Sequence, residues 1–524
     1  KNWNLGEANI AGGQYNDLVD VKGNLALGGT LNVSTQNGGP DVVDGALDAG
    51  IYRLYTYGGS LSGVSDQKLG SIAQGTSNLS LQTVIDHQVN LVVGSNTMNF
   101  WDGGNSSNHG ANGSSGNATV NGGNGVWTAL NGAGDNNWTN ANGSRNTPWN
   151  TGRYAIFEGS AGRVEVQDTD ASGAFSPVKV SGMQFANNDG QTYVVTGDDL
   201  YVTTATTTIR VGDGSSSGAS ITATLDTVLN DSTVAGGTAL VKSDAGTLII
   251  TKNQTYTGAT TLSGGTLQLG NGGTGGRIST SSAIHNNGAL VVDHSDAVAL
   301  TQDIDGTGSL TQQGQGTTTL SAANSYTGAT TITAGTLALS GDGSIATSSG
   351  VHDNGVFDVS GSSSTTPSIA ALEGAGSVVL GANTLTLTNA NSSFGNVFSG
   401  VASGTGGLTV AGGTETLSGA NTYTGVTTVA QGASLNLPGS IAGDLTTAGT
   451  TSIAGGSVGG STSNSGTLTA SDATLHDLSN TAGTATLTNT TAGALTNADG
   501  ATLSLSGGSA TSATNAGTMS LSGG

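Results

Sequence analysis

The sequence predicts an all-β fold, a right-handed parallel β-helix whose coils have three faces and stack into a single elongated rod. Three observations predict it: one octapeptide occurs three times, glycines recur at fixed spacings, and short runs of alternating apolar and polar residues fill much of the chain. Repetition of one unit is typical of architectures that bury their faces against copies of themselves.

The composition favours strands and tight turns over helices. Gly, Thr, Ser, Asn and Val dominate the 524 residues, 89 of them Gly, whereas Glu, Lys, Arg and Met are scarce. Hydrophobic residues still make up 34%, and their alternating recurrence argues against a disordered chain. Only 9% of the residues are charged, against roughly 25% in an average domain. Hydroxyl and amide groups must therefore provide most of the hydrophilic surface.

The octapeptide gives the length of one coil. Its copies are QTYTGATT (254–261), NSYTGATT (324–331) and NTYTGVTT (421–428). Each copy lies between two glycines that begin apolar-alternating segments and are 19 residues apart: Gly246 and Gly265, Gly316 and Gly335, Gly413 and Gly432. Three strands of about five residues with their turns need about 17 to 22 residues, so this spacing fits one three-faced coil.

Alternation within the repeats predicts which side chains face the interior. In the modules 240–269, 310–339 and 408–437, leucines alternate with polar residues near the end of each copy. Because successive side chains of a strand point to opposite faces, these leucines should share the inner face. The set is Leu267, Leu269, Leu337, Leu339, Leu435 and Leu437.

Towards the end of the sequence the spacing becomes stricter. Six glycines follow one another every 17 residues and open the segments GASLNL, GTTSIA, GTLTAS, GTATLT, GATLSL and GTMSLS. They are Gly432, Gly449, Gly466, Gly483, Gly500 and Gly517. Stacked coils of this kind place apolar side chains inside and Thr, Ser and Asn in outward rows about 4.8 Å apart.

The Tyr-Thr-Gly of the octapeptide is interpreted as a corner of the coil. A packing role is predicted for Tyr256, Tyr326 and Tyr423, because they recur with the coil rather than once per chain. The glycines that follow are expected to supply a permissive backbone for the turn. They are Gly258, Gly328 and Gly425.

The charge distribution excludes some partners. The net charge is −22, and all 12 Lys and Arg lie between Lys1 and Arg277, so the 13 acidic residues that follow have no Lys or Arg beside them in sequence. Nucleic acids and anionic lipids require basic clusters, so neither is expected as a partner. Divalent cations are compatible with this charge as bridging ions, but no cofactor or metal-ligand pattern is present, and the absence of Cys removes thiolate chemistry.

The module G-T-L-x-L-S-G-A-N-T-Y-T-G-x-T-T-x-x-x-G-T-L-x-L resembles the passenger-associated strand repeat of Gram-negative autotransporters, which are type V secretion proteins. The stretches 17–33 and 48–63 are similar to passenger sequence of the same family. The resemblance implies secretion, a β-helix and a location outside the cell or on the outer-membrane surface. Membrane attachment would come only through a C-terminal barrel beyond this sequence. Passengers of this family include adhesins, self-associating proteins, proteases and esterases, so the resemblance alone does not select a function.

Three segments are expected. Residues 1–239 should form N-terminal β-helix coils with a Trp/Asn/Gly-rich loop segment at about 98–158. Residues 240–437 carry the three repeats, and residues 438–524 form the regular 17-residue coils.

The loop segment contains the candidate ligand-binding residues. Four of the five tryptophans fall in it, with two arginines nearby: Trp101, Trp127, Trp138, Trp149, Arg145 and Arg153. Exposed indole rings stack on sugar faces, while Arg and Asn bind hydroxyls, so one hypothesis is a glycan-binding site. The alternative, which the sequence favours, is that the rings fill wider coils and turn carbonyls accept their N–H groups.

No catalytic site is expected. The six His form no metal-spaced pair. The family's proteases and esterases carry G-D-S-G or G-D-S-L, whereas this chain has GDGS at 212–215 and 341–344, which lacks the serine at the required position. The acids Asp303 and Asp305 have no evident basic partner.

The function expected is that of a bacterial cell-surface adhesin. Its β-helical faces would associate with the same protein on other cells, giving autoaggregation, biofilm formation and surface adhesion through many weak hydrogen bonds. The alternative is a module that binds a host receptor or glycan through the Trp-rich segment, with the rod as a stalk.

Overall fold

The structure is a computed structural model that describes residues 1–36, 38–40, 42–109, 116–130, 136–169, 172–187, 189–279, 283–390 and 396–523. The chain divides into two compact units, which we call unit 1 (Lys1–Asn271 with Gly275–Ser282) and unit 2 (Gly272–Thr274 with Ala283–Gly524). No α-helix occurs among the described residues, and none of their short 3₁₀ segments is long and apolar enough to cross a membrane.

The strands of unit 1 are numbered in chain order: β1 (Asn2–Leu5), β2 (Val19–Val21), β3 (Leu25–Ala26), β4 (Gly29–Thr35), β5 (Val42–Val43), β6 (Ala46–Leu47), β7 (Gly50–Tyr57), β8 (Leu61–Ser62), β9 (Gln67–Leu69), β10 (Ser80–Gln82), β11 (Gln88–Val93), β12 (Met98–Trp101), β13 (Gly125–Thr128), β14 (Trp138–Thr139), β15 (Asn146–Thr147), β16 (Tyr154–Phe157), β17 (Arg163–Gln167), β18 (Lys179–Val180), β19 (Gly182–Phe185), β20 (Tyr193–Gly197), β21 (Leu200–Val202), β22 (Thr206–Val211), β23 (Thr222–Asp226), β24 (Leu229–Asn230), β25 (Ala239–Ser243), β26 (Thr247–Ile250), β27 (Thr260–Leu262) and β28 (Thr266–Gly273). Among the described residues, two 3₁₀ segments, Val64–Asp66 and Ser216–Ser220, interrupt them.

Unit 2 continues with β29 (Ile284–Asn286), β30 (Ala289–His294), β31 (Ala297–Leu300), β32 (Ile304–Asp305), β33 (Ser309–Gln312), β34 (Thr317–Leu320), β35 (Thr330–Ile332), β36 (Thr336–Gly341), β37 (Val351–Asp353), β38 (Val356–Ser362), β39 (Ser368–Ile369), β40 (Leu372–Gly374), β41 (Ser377–Gly381), β42 (Leu385–Leu387), β43 (Val397–Phe398), β44 (Val401–Gly404), β45 (Leu408–Val410), β46 (Thr414–Leu417), β47 (Ala420–Asn421), β48 (Thr427–Val429), β49 (Ser434–Asn436), β50 (Ser440–Ile441), β51 (Leu445–Thr447), β52 (Thr450–Ala454), β53 (Ser457–Val458), β54 (Thr462–Asn464), β55 (Thr467–Ser471), β56 (Thr474–Leu475), β57 (Leu478–Asn480), β58 (Thr484–Thr488), β59 (Thr491–Asn497), β60 (Thr502–Ser506), β61 (Ser509–Asn515) and β62 (Thr518–Ser522).

Unit 1 combines an antiparallel sheet with a parallel solenoid. Near its start, β10, β11 and β7 pair antiparallel, with β2 parallel to β7 at the edge. From β16 onward the strands stack in parallel, one coil after another, as in the series β16, β19, β22, β25, β27 and the series β17, β20, β23, β26, β28. The parallel β-solenoid predicted by the repeats is therefore confirmed in this unit.

Unit 2 is a parallel β-solenoid with three strands per coil in its regular part. The consecutive strands β52, β53 and β54 pair with β55, β56 and β57 of the next coil. All six leucines predicted to face the interior are buried: Leu267, Leu269, Leu337, Leu339, Leu435 and Leu437, the first two in unit 1. The alternation rule is confirmed because the residue between the two leucines of each pair is more exposed than either leucine.

The strand register does not follow the 17-residue glycine spacing everywhere. Thr484 pairs with Thr502, an offset of 18 residues, because one extra residue separates Gly500 from its strand. Gly500 and Gly432 have φ values of +78° and +85°, and a Cβ at either position would meet no atom within 4 Å. These two glycines therefore serve an open left-handed turn rather than close contact between coils.

Candidate functional site

The tryptophans of the predicted loop segment form a buried aromatic cluster in unit 1. Trp101, Trp127 and Trp138 are at most 1% exposed and Trp149 is 5% exposed. Their ring centroids lie 4.6 to 5.1 Å apart, and Phe157 packs against three of them. The premise of exposed rings in the glycan hypothesis is wrong, because the rings face one another inside the solenoid. A sugar has no open indole face to stack on in this arrangement.

Only two of the four indole N–H groups have the carbonyl acceptor that the alternative predicts. The Trp101 Nε1 donates to the Gly123 carbonyl at 2.8 Å, and the Trp149 Nε1 donates to the Lys179 carbonyl at 3.0 Å. Trp127 and Trp138 have no acceptor for Nε1 among the described residues. The cluster is therefore held mainly by apolar burial, which is large for aromatic rings.

The segment 98–158 also contributes strands. β12 to β16 fall in it, and β12 pairs with both β14 and β16. Residues 110–115 and 131–135, part of the predicted loop, lie outside the described residues. Arg145 is exposed, whereas Arg153 is half-buried and donates from Nη1 to the Asn99 Oδ1 at 3.1 Å. The structure therefore brings the four tryptophans together, but among the described residues it shows no hydrogen bond or cation–π contact between them and the two arginines.

The repeat tyrosines are packed at the coil corners as predicted. Tyr256, Tyr326 and Tyr423 are fully buried. Each hydroxyl forms a hydrogen bond of 2.6 to 2.7 Å with the threonine four residues later: Thr260, Thr330 and Thr427. Burial raises the pKa of all three phenols. The conserved spacing of Tyr and Thr within the octapeptide thus satisfies a hydroxyl that would otherwise be buried without a partner.

The corner glycines are required for a reason that the sequence did not indicate. Gly258, Gly328 and Gly425 do not have positive φ values. A Cβ on any of them would lie 2.2 to 2.4 Å from a carbonyl oxygen of the preceding coil. The expectation of a permissive backbone is therefore corrected: these positions need Gly because two coils approach closely there.

Five strands of unit 2 that are neighbours in one sheet carry rows of hydroxyl groups on their outer side, which we call the hydroxyl face. Its strands, β52, β55, β58, β60 and β62, are paired in register. It comprises Thr450, Ser452, Thr467, Thr469, Ser471, Thr484, Thr486, Thr488, Thr502, Ser504, Ser506, Thr518, Ser520 and Ser522, none of which is buried.

The hydroxyl face has unused hydrogen-bonding capacity. No charged residue belongs to it, and none of its side chains forms a hydrogen bond with another described residue. In a parallel sheet the rows are about 4.8 Å apart across strands and about 6.6 Å apart along a strand. This regular array can bond only to water or to another surface, so we take it as the candidate functional surface.

Histidine–carboxylate pairs lie on neighbouring coils of unit 2. The His285 Nδ1 is 2.9 Å from the Asp305 Oδ2, and the His352 Nδ1 is 2.7 Å from the Glu373 Oε1. The expectation that Asp305 lacks a basic partner is therefore wrong, because a stacked coil brings His285 beside it. No group of three or more metal-ligating side chains occurs in the part of the chain that the structure describes.

Comparisons with known proteins agree with the repeat architecture. The family model described as passenger-associated-transport-repeat matches residues 240–269, 310–339 and 412–437. The chain is 37% identical over 387 residues to the adhesin BmaC autotransporter of Brucella suis biovar 1 (strain 1330). The match covers 70% of this chain, which spans about 10% of that relative's length. No solved structure matches the chain.

Proposed function

Because the chain is part of an autotransporter passenger domain, we propose that it is an adhesive segment displayed at the surface of a Gram-negative bacterium. Two lines support adhesion: the similarity to an autotransporter adhesin, and a solenoid whose surface is rich in hydroxyls and poor in charge. The same similarity favours a binding role over a catalytic one.

The proposed partner is a second copy of the chain on another cell. The observation that carries this proposal is the hydroxyl face, where 14 accessible hydroxyl side chains form no hydrogen bond within the described chain. Each hydroxyl contact between two such faces contributes little after exchange with water, but many copies on each cell act together. Autoaggregation and biofilm formation would follow from this pairing.

Charge should modulate the association. The net charge of −22 opposes the close approach of two copies. Salt shortens the range of this repulsion to about 10 Å at 0.1 M ionic strength, and divalent cations can bridge carboxylates. Cell clumping is therefore expected to increase with added salt or divalent cations. A steady decrease with salt would contradict pairing through the uncharged face.

The proposal is tested by displaying the passenger on a non-aggregating strain. Displaying cells are mixed with differently labelled cells that lack the protein, and settling is followed together with the composition of the clumps. Homotypic pairing predicts clumps of displaying cells only. Absence of clumping at every salt concentration would contradict the proposal and direct the search to host-cell receptors.

Matched charge variants locate the surface. The first carries Thr450→Asp, Thr484→Asp and Thr518→Asp on alternate strands of the hydroxyl face. The control carries Thr446→Asp, Ser479→Asp and Thr514→Asp on alternate strands of the column β51, β54, β57, β59 and β61, which also points outward. Only the first variant should abolish clumping, because like charges then meet across the paired faces. Equal loss in both variants would show that another surface or the overall charge is responsible.

A further inference from the structure

Unit 1 contains an open cleft of about 430 Å³, well away in sequence from the hydroxyl face. Side chains converge on it from the β2 edge, from β7, from the turn before β11 and from the loop after β22; they include Arg53, Tyr57, His87, Gln88, Asp213 and Ser215. The volume falls within the roughly 300 to 1,000 Å³ of small-molecule sites, and convergent polar groups are typical of such sites.

Arg53 lines the cleft and keeps unused donors. Its side chain is 4% exposed; Nε donates to the Asn90 Oδ1 at 2.7 Å, and Nη2 donates to the carbonyl and carboxylate oxygens of Asp213 at 3.2 and 3.3 Å. A guanidinium carries five N–H donors, and Nη1 forms no hydrogen bond with any described residue. The Nη1 donors of this almost buried, cleft-lining side chain therefore remain for a ligand.

Asp213 supplies a fixed acceptor next to these donors. Its Oδ1 accepts from the Ser215 hydroxyl at 2.5 Å and from the Ser215 N–H at 3.0 Å. Burial raises the pKa of Asp213, but the Arg53 charge and the Ser215 hydrogen bonds outweigh it, so that the pKa lies below its usual value. The carboxylate is therefore ionised and its position is set before any ligand arrives.

His87 lines the rim in a backbone conformation that costs energy. It is a non-glycine residue with a φ of +62°, and its Nδ1 lies 2.8 Å from the Tyr57 carbonyl oxygen. Its ring centroid is 5.5 Å from that of Tyr57. A left-handed backbone is strained at a non-glycine residue, and such strain clusters at functional sites. The turn holds a half-exposed aromatic ring against the cleft.

The balance of charge selects the class of ligand. Asp20, Asp86 and Asp213 face Lys22 and Arg53 around the cleft, so a fully charged ligand would meet like charges. A neutral sugar fits this arrangement better. Its adjacent hydroxyls can bond to a neighbouring donor and acceptor, and its C–H face can pack against an aromatic ring. We propose that this cleft binds one neutral sugar residue, with Arg53 and Asp213 bonded to adjacent hydroxyls and the His87 ring against the C–H face. This site is independent of the hydroxyl face and adds a glycan specificity to the proposed adhesin.

The test uses the full chain and free neutral sugars: glucose, galactose, mannose and N-acetylglucosamine. Saturation-transfer NMR should detect binding of at least one of them at millimolar concentration. No transfer from any of the four, or a clear preference for glucuronate or sialic acid over all of them, would overturn the proposal.

Two glycine variants separate binding from folding. His87→Gly removes the ring at a position where Gly is the favoured residue, so the melting temperature should not fall while affinity drops at least tenfold. Asn78→Gly is the control, since Asn78 has a φ of +54° and does not line the cleft. It should retain full affinity. Unchanged sugar binding in His87→Gly, or equal loss in both variants, would show that the cleft is not the site.

Discussion

The two units solve the problem of buried polar groups in different ways. In unit 1, two buried arginines are paired with carboxylates: Arg53 with Asp213, and Arg210 with Asp244, whose side chains are 7% and 5% exposed. Unit 2 contains no Lys or Arg, and its buried carboxyls Asp353 and Glu415 have no basic side chain within ion-pair distance among the described residues.

Unit 2 uses two substitutes for ion pairs. One is a row of stacked amides, in which Asn464, Asn480 and Asn497 each donate to the Asn of the next coil at 2.7 to 2.8 Å. The other is protonation: burial, helped by the Glu373 charge, raises the pKa of Glu415 to about 9. Burial likewise raises the pKa of Asp353 to about 7. Without Lys or Arg to pair with them, the buried polar groups of unit 2 are kept inside in neutral form.

The largest expected effect is the loss of a buried cation in unit 1. Arg210→Met leaves the Asp244 carboxylate buried without its partner, which should lower the free energy of unfolding by about 3–5 kcal/mol. All five tryptophans lie in unit 1, so a denaturant series followed by Trp fluorescence reports on this unit. Lys252→Met is the control, because the exposed pair Lys252–Asp226 should contribute at most about 1 kcal/mol. Equal effects of the two substitutions would show that the buried ion pair of unit 1 matters no more for stability than the exposed one.

The amide row should come next in magnitude. Asn480→Leu leaves the Asn464 donor and the Asn497 acceptor without one partner each, and we expect a loss of about 1–3 kcal/mol. The control is Ser479→Ala. Ser479 precedes Asn480 on the same strand and points outward, so this substitution should change stability by less than about 0.5 kcal/mol. The far-UV circular dichroism midpoint in denaturant measures both. If Asn480→Leu leaves the free energy of unfolding unchanged, apolar packing can replace the amide row without loss of stability.

The smallest effect, counted per pH unit, is the pH dependence that Glu415 gives to the stability of unit 2. The pKa of Glu415 is 4.5 in the unfolded chain and about 9 in the folded chain. The contribution of the protonated group is complete below pH 4.5 and decreases as the pH rises towards 9, with a slope of at most about 1.4 kcal/mol per pH unit. The variant Glu415→Gln does not titrate, so the midpoint difference between wild type and variant should change steadily from pH 5 to pH 9. A constant difference would show that Glu415 is not protonated in the fold.

Much of the solenoid could be predicted from periodicity, because a coil that stacks on itself must repeat its inward side chains at a fixed spacing. The inward leucines and corner tyrosines follow directly from that rule. The shifted register after Gly500 could not be predicted, since one extra turn residue leaves the glycine spacing unchanged. The cleft at Arg53 and Asp213 was also missed, because the two residues are 160 positions apart, one on β7 and the other in the loop after β22.

The sequence by itself determined the β-solenoid, the inward alternation, the recurring Tyr–Thr corner and the uneven charge, since each depends on local spacing or composition. Only the tertiary structure decided that the tryptophans are buried, that His285 lies beside Asp305 and that the corner glycines avoid a carbonyl of the preceding coil. These features depend on which residues of different coils come together. That pairing is set by turn lengths and packing, which no single stretch of sequence encodes.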